Sequence, residues 1–447
     1  MKYILKNKDI DVLEFETSTE YDDYMKSNFT SLISVNILNK TLLPIFINDK
    51  HIKSSLEDWV KERKIPKHRK YVNQVLGTLK KEVQNDFMAY IDISLGLSLN
   101  DSFWIVPADK DYKWKDFNLY QNKFNEALAL IAFSGQPSHK ISDVTTSPEY
   151  TTNGALAKCW HRENGQIYLY KSGSEKYNLK EPYTEFYMAQ IADIMGFDYV
   201  PYDLKEFHEK IVSSCPIFTN ENEGYAPMYL YLHKENKKYT KTEQAQMAER
   251  LYGKEKFEDL MLFDGLICNC DRHLGNFGMI IDNNTNELLR PAPIFDNGLG
   301  FISRLQKNML TNLKELFEQY DDEISHFELD FNQQIKRFVQ PRHIPNLEKL
   351  VSFEFKKHSE FNLSDEWLEP IQEYIQDRAR LAIQFAYEKQ ENSQKIKSSF
   401  RTDGSDSTSL SSIRNEMLGS STQQADKQKP SVESDIDTNT GPKYPKR

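Results

Sequence analysis

The sequence predicts an α+β protein of two lobes, a small α+β lobe followed by a mainly helical one, with an N-terminal accessory region in front and a disordered tail behind. Three features predict it. Residues 155–232 hold short β-prone runs, a turn signal and a helix. Residues 240–390 repeat apolar residues at helical spacing, and the last 57 residues do neither. The expected divisions are 1–100 for the accessory region, 101–232 for the small lobe, 233–390 for the helical lobe and 391–447 for the tail.

In the accessory region, residues 2–5 and 12–16 read as a strand pair, and 56–62 and 68–80 as helices. Between them runs Lys61-Glu62-Arg63-Lys64-Ile65-Pro66-Lys67-His68-Arg69-Lys70, strongly basic. The expectation is a solvated face around a proline-broken helix and not a nucleic-acid patch.

In the small lobe, Leu156-Ala157-Lys158-Cys159-Trp160 and Gln166-Ile167-Tyr168-Leu169-Tyr170-Lys171 flank the turn signal Glu163-Asn164-Gly165, which predicts a hairpin. A helix follows over 184–195 and stops at Gly196, a residue suited to the left-handed helix end. Residues 199–202 and 214–219 read as strands.

Helical patterns then cover 241–266, 307–320 and 344–355. Ser364 caps a last helix whose apolar face includes Trp367, Ile371, Ile375, Leu381, Ile383 and Phe385. From residue 391 onward there are twelve serines, two aromatics and nearly balanced charge, too little apolar surface to offset chain entropy. Ser405, Ser407, Ser431 and Ser434 stand beside acidic residues and are candidate phosphoacceptors.

Composition narrows the function. With 57 basic and 67 acidic residues the formal charge is −10. A dedicated nucleic-acid binder needs a basic surface, so no direct nucleic-acid partner is expected. No apolar run reaches the ~18 residues of a membrane span, and the basic start Met1-Lys2 is not followed by an apolar stretch. The expectation is a cytoplasmic protein with no membrane partner. Four cysteines do not make a disulfide framework, and the pair Cys268 and Cys270 has no second pair at metal spacing.

The chemistry concentrates in Asn269-Cys270-Asp271-Arg272-His273-Leu274-Gly275-Asn276, where a helical pattern gives way to an apolar strand. A second apolar run, Ala292-Pro293-Ile294-Phe295, delivers Asp296-Asn297-Gly298. Two strands joined at Asp282-Asn283-Asn284 would bring Asp271, Asn276 and Asp296 into one cleft. Phosphoryl transfer needs such a set: a carboxylate near the attacking hydroxyl and an oxygen-donor pair for Mg²⁺. Upstream, Lys171 ends a strand where it can reach phosphates, and Glu185 lies early on the next helix, placed to hold it. Thr151-Thr152-Asn153-Gly154-Ala155 is a small-residue turn able to bring backbone N–H groups to phosphate oxygens.

These residues resemble the HipA-like serine/threonine kinases, and among them the shorter HipA-C-terminal type. The resembling stretch runs from Asp101-Ser102-Phe103-Trp104-Ile105, through Ser147-Pro148-Glu149-Tyr150-Thr151-Thr152-Asn153-Gly154, to about residue 390, some two thirds of the chain. The resemblance implies a protein-kinase-like two-lobed fold that uses ATP and Mg²⁺ to phosphorylate Ser or Thr of a protein substrate, and that autophosphorylates. It implies that Asp271 orients the hydroxyl, that Asn276 and Asp296 hold the metal, and that Lys171 binds ATP phosphates with Glu185 as its ion-pair partner. Asn153 and Gly154 would lie in the phosphate-covering loop, and Phe218 and Thr219 in the hinge that meets adenine. Asn269 and His273 would brace the catalytic loop. Ser147, Thr151 and Thr152 are the candidate autophosphorylated residues, and an antitoxin-like regulatory partner is a further expectation. The first 100 residues do not show the N-terminal subdomain pattern of the HipA toxin. Two other readings compete: a kinase-fold interaction module without turnover, and a lipid kinase, because D-R-H-x-x-N also occurs in phosphatidylinositol kinases.

Overall fold

The computed structural model describes residues 1–23, 27–78, 87–136, 146–232, 239–305 and 313–402. Residues Met1–Lys389 form one compact unit, and every candidate catalytic, nucleotide-binding and metal-binding residue lies in it.

Strands β1 (Lys2–Asn7), β2 (Ile10–Asp22), β3 (Ser27–Ile37) and β4 (Phe103–Pro107) make an antiparallel sheet in the order β3-β2-β1-β4. Strand alternation buries Tyr3 and Leu5 on one face, where Leu56, Trp59 and Val60 of the helix Ile52–Glu62 cover them. Strand β4 lies beyond residue 100, where the sequence reading ends the accessory region. It pairs with β1 through Leu5–Ile105 and Tyr3–Pro107, a partner too distant in sequence to leave a local signal.

The basic run does not form the expected solvated face at its arginines. Arg63 is bound to the Gly96 carbonyl and to the Asp101 carboxylate, and Arg69, only 2% exposed, to the carbonyls of Thr152 and Lys158. Carbonyl and carboxylate acceptors offset part of the cost of burying these guanidinium groups, although the Arg69 Nε is buried without a partner.

A second sheet contains β5 (Lys158–Glu163), β6 (Gln166–Ser172), β7 (Asp203–Phe207) and β8 (Lys210–Pro216) in the order β5-β6-β8-β7. Asn164 and Gly165, both at positive φ, turn β5 into β6 as their sequence signals. His208 and Glu209 make the same left-handed two-residue turn between β7 and β8 without any such signal. Strand β7 therefore lies where the sequence reading puts none, and β8 begins four residues before the strand expected over 214–219. Residues 199–202 contribute only an isolated bridge from Tyr199 to Ile294, since Pro201 has no N–H for a ladder.

One face of this sheet, through Cys159, Tyr170 and Val212, packs on Ala129 and Phe133 of the helix Glu126–Ser134. The opposite face places Lys158, Lys171 and Ser213 side by side in register. It turns towards the helix Glu181–Met195, which starts a turn earlier than expected, with Pro182 in its first turn, and ends at Gly196. The cleft face of the small lobe is thus a property of strand register.

The helical pattern over 241–266 is two helices, Lys241–Tyr252 and Lys254–Ile267, broken at Gly253, whose φ of +83° no helix accepts. Their buried faces join the helices Glu181–Met195, Phe331–Phe338 and Ile344–Val351 in one large core that includes Ile191, Leu260, Phe263, Leu266, Ile335 and Leu350. A third sheet, β9 (Glu223–Pro227), β10 (Gly278–Asp282) and β11 (Leu288–Pro291) in the order β11-β10-β9, carries the two loops of interest. The last helix runs Asp365–Thr402, so residues 391–402 are helical where a disordered tail is expected. That stretch has neither Gly nor Pro, and an established helix propagates easily through polar residues. The candidate phosphoacceptor serines from Ser405 onward lie outside the described residues. Among the described residues no helix is long and apolar enough to cross a membrane.

Candidate active site

The site begins where the helix Lys254–Ile267 stops. Cys268 takes a left-handed conformation, φ +46°, and turns the chain out of the helix into residues 269–277. This loop is fastened to the helix it leaves. Arg272, 2% exposed, donates from Nε and Nη2 to both carboxylate oxygens of Asp264 at 2.9 and 3.0 Å. Asn269 Nδ2 donates to the same carboxylate at 3.0 Å and accepts the Asp271 N–H on its own oxygen at 3.1 Å. His273 contributes its N–H to the Asp271 carbonyl at 2.8 Å, while its Nδ1 accepts from Gly275.

Arg272 also joins this loop to the one that carries Asp296. It donates to the carbonyls of Asn276 and Phe295 and to Asn297 Oδ1, the last at 2.7 Å. Asp296 itself adopts φ +56°, a conformation costly for a residue with a side chain and tolerated best by Asn and Asp. Its N–H is held by the Tyr202 hydroxyl at 2.9 Å. Arg272 lies within the motif with no task expected of it, and Asp264 and Tyr202 are not among the residues expected at the site. A buried arginine paired with a carboxylate of the preceding helix has no signature in one sequence.

From the small lobe, Lys171 Nζ donates to Glu185 and to Asp296 Oδ1, the latter at 2.6 Å. Glu185 is fully buried and is further held by the Ser213 hydroxyl. Burial works against charge on Lys171, but the Asp296 and Glu185 carboxylates more than offset it and push its pKa up. Burial likewise opposes the charge on Asp296. The Lys171 and Lys158 ammonium groups prevail, and its carboxyl is held well below the usual carboxylate range. The Asp271 carboxyl is pushed up, by burial first and then by the charge of Asp296. Asp271 and Asp296 therefore act on each other across one space.

Lys158 is a site residue that the sequence reading misses. It pairs in register with Lys171, is 8% exposed, and makes no ion pair among the described residues. Burial and the neighbouring Lys171 charge push its pKa down to about 7. Gly154, at φ +96°, lies so close that a Cβ there would collide with Lys158 Nζ. Asn153 and Gly154 thus sit against a buried cation. Only the strand register, invisible in the sequence, places Lys158 on this face.

Thr219 gives its hydroxyl to the Leu99 carbonyl at 2.6 Å, and Phe218 packs on Tyr225 and Phe295 between β8 and β9. Ser147 and Thr151 are buried; Ser147 is bonded to Glu149, Thr151 to the Leu97 carbonyl and Thr152 to the Pro148 carbonyl.

The donor set suits Mg²⁺ with a polyphosphate. Asn276 spends Nδ2 on the Asp271 carbonyl at 2.9 Å, which leaves its amide oxygen to a cation. Among the described residues no three His, Cys, Asp or Glu side chains gather round one point. Mg²⁺ does not need such a cage, since it keeps waters and takes one or two protein oxygens plus phosphate. The mutual repulsion of Asp271 and Asp296 would be relieved by a cation between them.

No protein-family model matches the chain, and no curated protein does. Among solved structures, the chain is similar in fold to the proinflammatory kinase CtkA of Helicobacter pylori, with 18% identity over 54% of this chain and 95% of that one and a TM-score of 0.43. It is also similar to the HipA toxin–antitoxin system of Shewanella oneidensis MR-1, solved with HipB and operator DNA, with 11% identity over 86% of this chain and 96% of that one and a TM-score of 0.44.

Proposed function

We propose that this protein is a kinase that transfers the γ-phosphoryl group of ATP, with Mg²⁺, to a Ser or Thr hydroxyl of a protein substrate. The observation that carries the reading is the convergence of Glu185, Lys171 and Asp296 in one bonded chain, beside a loop that presents Asp271 and Asn276. Asn276 and Asp296 would hold Mg²⁺, which supplies positive charge to the phosphates. Lys171 and Lys158 would neutralise phosphate oxygens, and Glu185 and Ser213 keep Lys171 in place. Asp271, its basicity raised by burial and by Asp296, accepts the hydrogen of the attacking hydroxyl and orients its oxygen. Arg272 fixes both acidic loops in one frame, so little reorganisation is needed at the moment of transfer.

The test is incubation of the protein with γ-labelled ATP, Mg²⁺ and a mixed protein extract, followed by mass spectrometry of the labelled products. Phosphoserine or phosphothreonine on a protein supports the reading. Label in lipid, or ATP binding without any transfer, overturns it.

A further inference from the structure

Residues 151–157 would cover the nucleotide's phosphates, and they are held from behind by the accessory region. Arg69 Nη1 donates to the Thr152 carbonyl at 2.9 Å, and Nη2 to the Lys158 carbonyl. The next residue, Lys70, donates its backbone N–H to the Ala155 carbonyl at 2.8 Å. One arginine fork and one peptide N–H therefore take the carbonyls of Thr152 and Ala155 within this stretch and of Lys158 just after it. Behind it, the wholly buried Glu149 accepts the Trp160 N–H at 2.9 Å and the Ser147 hydroxyl, which fixes the chain entering it.

A loop that meets phosphate has to turn its N–H groups inward and its carbonyl oxygens outward, because a carbonyl dipole repels an anion. In a trans peptide the C=O and the following N–H point in opposite directions. With the Thr152 and Ala155 carbonyls drawn towards Arg69 and Lys70, the N–H groups of Asn153 and Leu156 are turned away from them.

We propose that Arg69 is a positioning residue for ATP: it holds the carbonyls of Thr152 and Lys158 away from the phosphates, so that the accessory region sets the phosphate affinity of the small lobe. This rests on the cleft being an ATP site. Lysine cannot replace the arginine, since an ammonium group is a point donor and cannot span two carbonyls as a planar fork does.

The experiment compares ATP and adenosine binding to the full chain and to its Arg69→Lys variant by titration calorimetry with Mg²⁺. The expected result is ATP affinity lowered about tenfold or more, with adenosine affinity unchanged. A merely structural role would weaken both ligands together, and that result, or no change in either, overturns the proposal. If the unaltered chain binds no ATP, the reading of the cleft itself fails. Should the variant not fold, hydrogen exchange on the unaltered chain decides. ATP, and not adenosine, should slow exchange at Asn153, whose N–H follows the Thr152 carbonyl held by Arg69, and equal exchange with both ligands refutes the positioning role.

Discussion

Lys171 Nζ, already bound to Glu185, reaches Asp296 Oδ1 at 2.6 Å. A strand end of the small lobe and a loop of the third sheet are thereby locked together through one ammonium group. The same group is the one that would face phosphate oxygens, so nucleotide binding would have to redistribute its hydrogen bonds. A second ammonium, Lys158, stands next to it without a carboxylate of its own.

Lys158 gives the site a pH dependence near neutrality. Its pKa in the folded chain, about 7, lies below the 10.5 of an exposed lysine. Between those values the unfolded chain holds the extra proton, so the contribution of Lys158 to stability rises with pH across that window. Phosphate oxygens reverse the balance by favouring the ammonium form. ATP should therefore bind with proton uptake, and its affinity should fall as pH rises from 7, by up to about tenfold per unit. Titration calorimetry in two buffers of different ionisation enthalpy measures the uptake. Lys158→Met should abolish it.

Gly154 is the residue whose lack of a side chain gives Lys158 its room. Gly154→Ala places a Cβ on the amine and strains a left-handed backbone, at a cost of about 1–2 kcal/mol. The amine can move, so the chain should fold, with ATP affinity lowered about tenfold by loss of one charge-assisted contact. Calorimetry and thermal melting of the same sample separate the two effects.

Asp264 and Arg272 form a bidentate pair in which each is at most 2% exposed. Removal of one charge leaves the other buried and unpaired, at a cost of about 3–5 kcal/mol. Asp264→Asn should lower the urea midpoint accordingly. It should also loosen both acidic loops, since Arg272 links them.

The sequence carries a good part of this site, and the limits are physical. Chain order alone brings Lys171 and Glu185 together, because a strand end followed closely by a helix leaves few places for the first turns of that helix to lie. The strand β10 and the loops on either side of it follow from apolar runs and turn residues. Arg69 and Lys158 are different. Arg69 reads as one more surface charge in a basic run, and only the packing of the accessory region on residues 151–157 buries it. Lys158 sits in a short β-prone run, and its partner and face are set by register with Lys171. The turn at His208 and Glu209 has no favoured residue, so β7 and β8 are displaced from their expected positions. Strand β4 joins a sheet whose other members lie far upstream. Local propensity reports local structure, and each of these features is long-range.

The central claim is that Asp271 and Asp296 divide the work of phosphoryl transfer between the hydroxyl and the metal-bound phosphates. Its most direct test measures transfer from γ-labelled ATP, together with ATP affinity, for the unaltered chain, Asp271→Asn and Asp296→Asn. The account predicts that Asp271→Asn lowers transfer by about 10²–10⁴ with ATP affinity nearly intact, and that Asp296→Asn loses transfer and Mg²⁺-dependent affinity together. Transfer at an undiminished rate in both variants would contradict it.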